Sequence, residues 1–147
     1  MNTRLLLALA TLSMATLTSL MPAHAAATGS NKKGCSLRTL HGEYGDTTSG
    51  ISSDGALFAE QALVTFHGDG TANAKVTVMK ATSGPTRFTS NVTYTLNSDC
   101  AGSLTAARST GETIHDDIVV TSNGAKILLL RTDPGSVVTG VEERVHW

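Results

Sequence analysis

"LFAEQALVTFHGDGTANAKVTVMK" spans residues 57–80, and its reading decides the fold. From Phe58 every second residue is Phe58, Glu60, Ala62, Val64 and Phe66, while Ala59, Gln61, Thr65 and His67 populate most of the other row. A period of two belongs to a strand with one buried and one wetted face, not to a helix. His67-Gly68-Asp69-Gly70 then supplies a tight turn, because glycine accepts φ > 0 without steric cost and Asp bonds its own backbone. A second run over 71–81 follows, and the two read as a β-hairpin.

The same punctuation recurs along the chain: "SSDG" at 52–55, "SGP" at 83–85, "STGE" at 109–112, "SNG" at 122–124 and "DPG" at 133–135. Between these turns lie short runs rich in Val, Ile, Thr and Phe, which predict strands over 37–44, 57–67, 71–81, 86–97, 103–108, 113–121, 126–131 and 137–145. In the fourth run Phe88, Ser90, Val92, Tyr94 and Leu96 oppose Thr89, Asn91, Thr93, Thr95 and Asn97. In the sixth, Ile114, Asp116, Ile118 and Val120 oppose Thr113, His115, Asp117, Val119 and Thr121. The expectation is an all-β domain, an eight-stranded antiparallel up-and-down barrel. A two-layer β-sandwich is the alternative, but a Greek key needs a long crossing connection that these short turns do not offer.

Residues 1–25 carry the early cation Arg4, an apolar stretch and the small-residue site Ala23-His24-Ala25, the plan of a secretory signal peptide cut after Ala25. Thr and Ser interrupt the apolar stretch and no second span follows, so it is not read as a membrane anchor. Residues 26–34 read as a loose N-terminal arm and 35–147 as a single domain, enough for one core. The formal net charge of the chain is −1, with 11 Lys+Arg and 12 Asp+Glu, and loss of Arg4 makes it one unit more negative. That balance gives no electrostatic case for nucleic acid or for a membrane surface as partner. A secreted or periplasmic location is expected. There, the pair Cys35 and Cys100 favours one disulfide, the alternative being two unpaired thiols.

Four stretches carry a family resemblance: "CSLRTLHGEYGDTTSG" at 35–50, "ALVTFHGDGTANAKVTV" at 62–78, "VTYTLNSDCAGSLT" at 92–105 and "LLLRTDPGSVVTG" at 128–140. In this order they resemble a group of small secreted bacterial proteins. Its elements are a Cys before Leu-x-Gly-x-Tyr-Gly, a Phe-x-Gly-x-Gly hairpin, a Tyr-Thr-(Leu or Val)-Asn-x-Asp-Cys-x-Gly segment and an Asp-Pro-Gly-x-Val-x-x-Gly ending. The group is similar to the allene-oxide-cyclase-type, lipocalin-like barrels, a wider fold that includes cyclases and a pyocyanin demethylase working by tautomerisation. The resemblance implies an eight-stranded barrel, frequent trimers, and carboxylates and a histidine inside the barrel that handle a substrate.

Glu60 and Glu143 are the leading candidates for chemistry, because each sits in the apolar row of its strand. For the last strand that row is taken as Val137, Thr139, Val141, Glu143, Val145 and Trp147. Burial raises a carboxyl's pKa and suits it to proton transfer near neutrality, unless a cation such as Arg108 or Arg131 compensates. Asp116 is a third candidate; His115 falls on the opposite face with Asp117 and is expected outside. Phe58, Phe66, Phe88, Tyr94 and Trp147 share the apolar rows and are expected to line a pocket for a small apolar or aromatic molecule.

These residues point to an isomerase, cyclase or tautomerase acting by carboxylate proton transfer. A ligand-binding barrel without catalysis and a structural oligomer with a filled core are the alternatives. "HGDG" fills at most two positions of a metal site and reads as a turn, and no cofactor motif appears. The apolar side formed by Val119, Thr121 and Leu128 predicts a homo-oligomer.

Overall fold

The computed structural model describes residues 34–146. The expected signal peptide, all of the arm but Gly34, and Trp147 lie outside the described residues. Eight strands follow in sequence: β1 (His41–Ile51), β2 (Leu57–His67), β3 (Thr71–Lys80), β4 (Thr86–Leu96), β5 (Ala101–Arg108), β6 (Thr113–Thr121), β7 (Lys126–Arg131) and β8 (Val137–Arg144). Each pairs antiparallel with the next, and β8 returns to β1, so the sheet closes into an up-and-down barrel. Closure removes the two free sheet edges, which would otherwise expose unpaired backbone groups.

Seven of the expected strands lie within two residues of the observed ones; the first does not. In place of a strand over 37–44, Leu37–Thr39 forms a 3-10 turn and β1 runs on to Ile51. The turn is locally favoured because Thr39 N–H bonds Ser36 O at 2.8 Å and Ser36 N–H bonds Thr39 Oγ1 at 3.0 Å. A second 3-10 turn covers Ser122–Gly124. No helix among the described residues is long and apolar enough to cross a membrane.

The 3-10 turn at 37–39 stoppers one end of the barrel. Leu40 is fully buried, and beneath it Tyr44, Phe66 and Tyr94 pack edge to face with ring centroids 5.1 and 5.2 Å apart. Burying side chains of this size stabilises by about 1.5–3 kcal/mol each. Their polar ends are also used: Tyr94 Oη donates to Leu37 O at 2.9 Å, and Tyr44 Oη donates to Gly124 O. Arg144 reaches over from β8 to donate to Tyr44 Oη at 2.7 Å and to Thr39 O at 3.2 Å. Cys35 and Cys100 are joined by a disulfide with Cα atoms 5.0 Å apart, which pins the stopper to the β4–β5 turn.

The turns between β2 and β3, β4 and β5, and β6 and β7 therefore gather at the stoppered end. "HGDG" turns the β2–β3 hairpin with Gly68 and Gly70 at φ of 79° and 98°, and Asp69 Oδ1 accepts from Thr71 N–H at 2.9 Å. At the opposite end, where β1 meets β2, β3 meets β4, β5 meets β6 and β7 meets β8, no comparable plug is formed by the described residues and a mouth opens among them.

Candidate functional site

The glutamate that enters the lumen from β8 is Glu142, not Glu143. Val138 and Glu142 are buried, whereas the Glu143 side chain is 63% exposed and pairs outside with Lys126 at 2.7 Å. The reason is register: partners across an antiparallel pair share a face. The inward residues Tyr44, Asp46 and Thr48 of β1 stand opposite Arg144, Glu142 and Gly140. The more apolar row, Val137, Thr139 and Val141, consequently faces outward. In this strand the inside is the polar side.

Asp46, Glu60, Asp116 and Glu142 converge on a chamber of about 50 Å³ in the middle of the barrel, and all four are buried. Gly140 helps keep it open, because a Cβ at that position would collide with Thr48 Oγ1. Glu142 is 4% exposed and its Oε2 has no hydrogen-bond partner among the described residues. Burial, reinforced by the charges of Asp46 and Asp116, holds the Glu142 pKa well above the usual carboxylate range. Asp46 is pushed up to about 7, again chiefly by burial, although Thr48 Oγ1 opposes the shift by donating to it at 2.9 Å. Two carboxyls directly opposite one another cannot comfortably both ionise, so near neutral pH this pair retains a proton.

The other two carboxyls are compensated. Arg108 Nη2 donates to Glu60 Oε2 at 2.8 Å, and Arg131 Nε donates to Asp116 Oδ1 at 2.7 Å. The Glu60 pKa is still raised, because the cost of burial exceeds what Arg108 returns. Each arginine also reaches outward, Arg108 to Glu112 at 3.2 Å and Arg131 to Asp133 at 3.8 Å. The two guanidinium groups thus form both the roof of the chamber and the floor of the mouth.

The mouth has a volume of about 620 Å³, within the range of small-molecule sites. Phe58 and Phe88 line it, and the Arg108 guanidinium lies 4.9 Å from the centre of the Phe88 ring. Arg108, Ile114 and Arg131 line mouth and chamber alike. Between the phenylalanines and the carboxyls below stand these three side chains, the two arginines ion-paired.

The sequence candidates separate accordingly. Glu60 and Asp116 are in the chamber, each held by an arginine, and Phe58 and Phe88 are in the mouth. Phe66 and Tyr94 line neither space; they belong to the packed stopper, so the expected row of pocket aromatics divides into a filled half and an open half. His115 points outward and bonds Asp133 Oδ1 through Nδ1 at 2.7 Å. His67 is likewise exposed, against Asn73. Among the described residues no group of three or more His, Cys, Asp or Glu is placed to hold a metal ion. Asp46 and Glu142 were not legible as site residues: the first lies in "GDTTSG", a loop by composition, and the second in the row taken as exterior.

No protein-family model and no curated protein matches the chain. Among solved structures it is similar to a de novo designed fluorescence-activating β-barrel, with 13% identity and a TM-score of 0.51 over 74% of this chain and 96% of that one. It is also similar to a redesigned β-barrel, with 15% identity and a TM-score of 0.54 over 76% of this chain and 96% of that one. At such identities the likeness is one of fold: a small closed antiparallel barrel.

Proposed function

We propose that this protein is an exported barrel that takes a small, mainly apolar or aromatic molecule into its mouth and isomerises it by proton transfer in the chamber. The observation that carries the reading is the opposed pair Asp46 and Glu142, of which Glu142 presents a buried, unpartnered oxygen to an open space. In such a step one carboxyl gives its proton to one ligand atom while its neighbour, as carboxylate, takes a proton from another. Composition and oxidation state are unchanged, which is the chemistry of an isomerase, cyclase or tautomerase. The motif resemblance to allene-oxide-cyclase-type barrels supports this class, and the Cys35–Cys100 disulfide supports export to an oxidising compartment.

One designed barrel of similar fold is fluorescence-activating, so a neutral environment-sensitive dye such as Nile red is a suitable first probe of the mouth. Emission should rise on binding and fall when Phe88→Ala removes one wall. Proton transfer is tested with 2-tetralone in D₂O: the wild type should accelerate deuterium exchange at the carbon beside the carbonyl, and Glu142→Gln should not. Dye binding without any exchange above buffer sinks the catalytic reading and leaves a binding barrel. Absence of both removes the lumen as a site.

The exterior supports a second proposal, self-association. Val119 and Leu128 are cross-strand partners, Leu128 is paired with Val141, and Leu130 follows on the same face; Val119, Leu128 and Leu130 are 47%, 43% and 52% exposed. We read this apolar strip on β6, β7 and β8, flanked by Asp117 opposite Leu130 and by the Lys126–Glu143 pair, as the contact between copies of the chain, a trimer being the assembly that the family resemblance implies.

A further inference from the structure

From the charge inventory of the lumen we infer that the end of the ligand entering the chamber is a cationic, hydrogen-donating head of the amine type. The inference rests on the proposed use of the lumen and names the chemistry of its occupant. Three acidic groups at the mouth, Asp54, Glu112 and Asp133, and four in the chamber stand against three cations, Lys80, Arg108 and Arg131, the two arginines serving both spaces.

None of those cations is free for an anionic ligand. Lys80 Nζ sits 2.7 Å from Asp54 Oδ2, Arg108 bridges Glu60 and Glu112, and Arg131 bridges Asp116 and Asp133. An incoming carboxylate or phosphate must displace an acid from a guanidinium and leave that acid uncompensated beside it, which is costly in a partly dry site. The unmet demand lies deeper and has the opposite sign. Among the described residues Glu142 Oε2 is an acceptor with no donor, and the side chain that donates to Asp46 is the hydroxyl of Thr48.

An ammonium group carries several donors and a charge that offsets the one carboxylate of the pair, while the other carboxyl keeps its proton. The chamber, at about 50 Å³, has room for a few water-sized groups, enough for such a head and its first carbon. Phe58 and Phe88 at the mouth offer flat apolar faces to the remainder of the molecule. The ligand class is therefore an arylalkylamine or a molecule of equivalent shape, with the amine buried and the ring toward solvent.

Three probes of one shape test this by calorimetry on the whole protein: 2-naphthylmethylamine, 2-naphthylmethanol and 2-naphthylacetate. The amine should bind about tenfold or more tightly than the alcohol, and the acetate most weakly. Glu142→Gln, and separately Asp46→Asn, should bring the amine down toward the alcohol, so that the ratio of the two affinities falls toward one. Equal affinities for the three, or an amine preference indifferent to both variants, overturn the amine head but leave the lumen as a binding site. If none of the three binds, the lumen reading and the amine head fall together.

Discussion

Asp46 and Glu142 stand directly opposite one another across the seam between β1 and β8, both pointing into the lumen and both buried. Direct partners of this kind place their Cβ atoms about 4.5–5.5 Å apart, too close for two unscreened negative charges. The strands that close the barrel therefore meet on a like-charge pair at its centre. Such a pair costs stability, and near neutral pH it can hold or release a proton.

The pair should make folding weaken as pH rises. Asp46 titrates at about 7 in the folded chain against 3.8 for an ordinary aspartate, and Glu142 lies well above its ordinary 4.5. Between these values the folded chain holds protons that the unfolded chain has already lost. The associated stability is thus complete below about pH 4 and disappears as pH climbs through the folded-state values. Urea unfolding at pH 5 and pH 8 should show the higher stability at pH 5. Glu142→Gln, neutral throughout, should flatten the difference and raise stability at pH 8 by about 1–3 kcal/mol. An undiminished pH dependence in that variant would remove Glu142 as its source.

Arg108 is expected to matter for the opposite reason. Its partner Glu60 is buried, so Arg108→Met strands a carboxylate in the barrel at a cost of about 3 kcal/mol at pH 8. The loss should shrink at pH 5, where Glu60, whose pKa is already raised by burial, takes up a proton. Adding Glu60→Gln to Arg108→Met should recover most of the stability. A double variant as unstable as the single one would mean that Arg108 acts by packing on Phe88 rather than through Glu60.

The barrel itself was readable because β2, β3, β4 and β6 alternate between well-marked turns, and short turns leave few topologies open. Two segments misled, both because the lumen is polar. In β1, "GEYGDTTSG" lacks the Val and Ile of a strand, yet Tyr44, Asp46 and Thr48 are its buried row. In β8 the apolar row faces out and the row with Gly140 and Glu142 faces in. A rule that assigns apolar residues to the interior inverts a strand whose inner face carries acids and whose outer face carries valines. Glu60 and Asp116 escaped this error because their neighbours, Val64 with Phe66 and Ile114 with Ile118, are more apolar than the opposite rows.

The stopper depends on its covalent pin. Cys35 and Cys100 enclose a long loop, with a sequence separation of 65, and its closure is worth about 4 kcal/mol on chain-entropy grounds. Replacing both by serine should lower unfolding stability by up to that amount. Amide exchange should accelerate first at Leu37–Leu40, whose contacts close the end of the barrel, and last at the β2–β3 hairpin. A uniform acceleration over all strands would mean that the disulfide acts on the unfolded chain alone and not on the stopper.

The outer strip on β6, β7 and β8 gives the last test, because its apolar content is unnecessary for the barrel. Leu128 and Leu130 point away from the lumen, so exchanging them for lysine disturbs no interior contact and should change monomer stability by no more than about 0.5 kcal/mol. If copies of the chain meet at this face, light scattering of the wild type should report a multiple of the chain mass, with a trimer expected. Leu128→Lys with Leu130→Lys should shift the population to monomer, since each contact would have to bury two lysines, of which the one at 128 stands between Val119 and Val141 with no acid opposite it. A wild type that is monomeric at high concentration rejects this interface. An assembly that survives the double substitution places the contact elsewhere on the barrel.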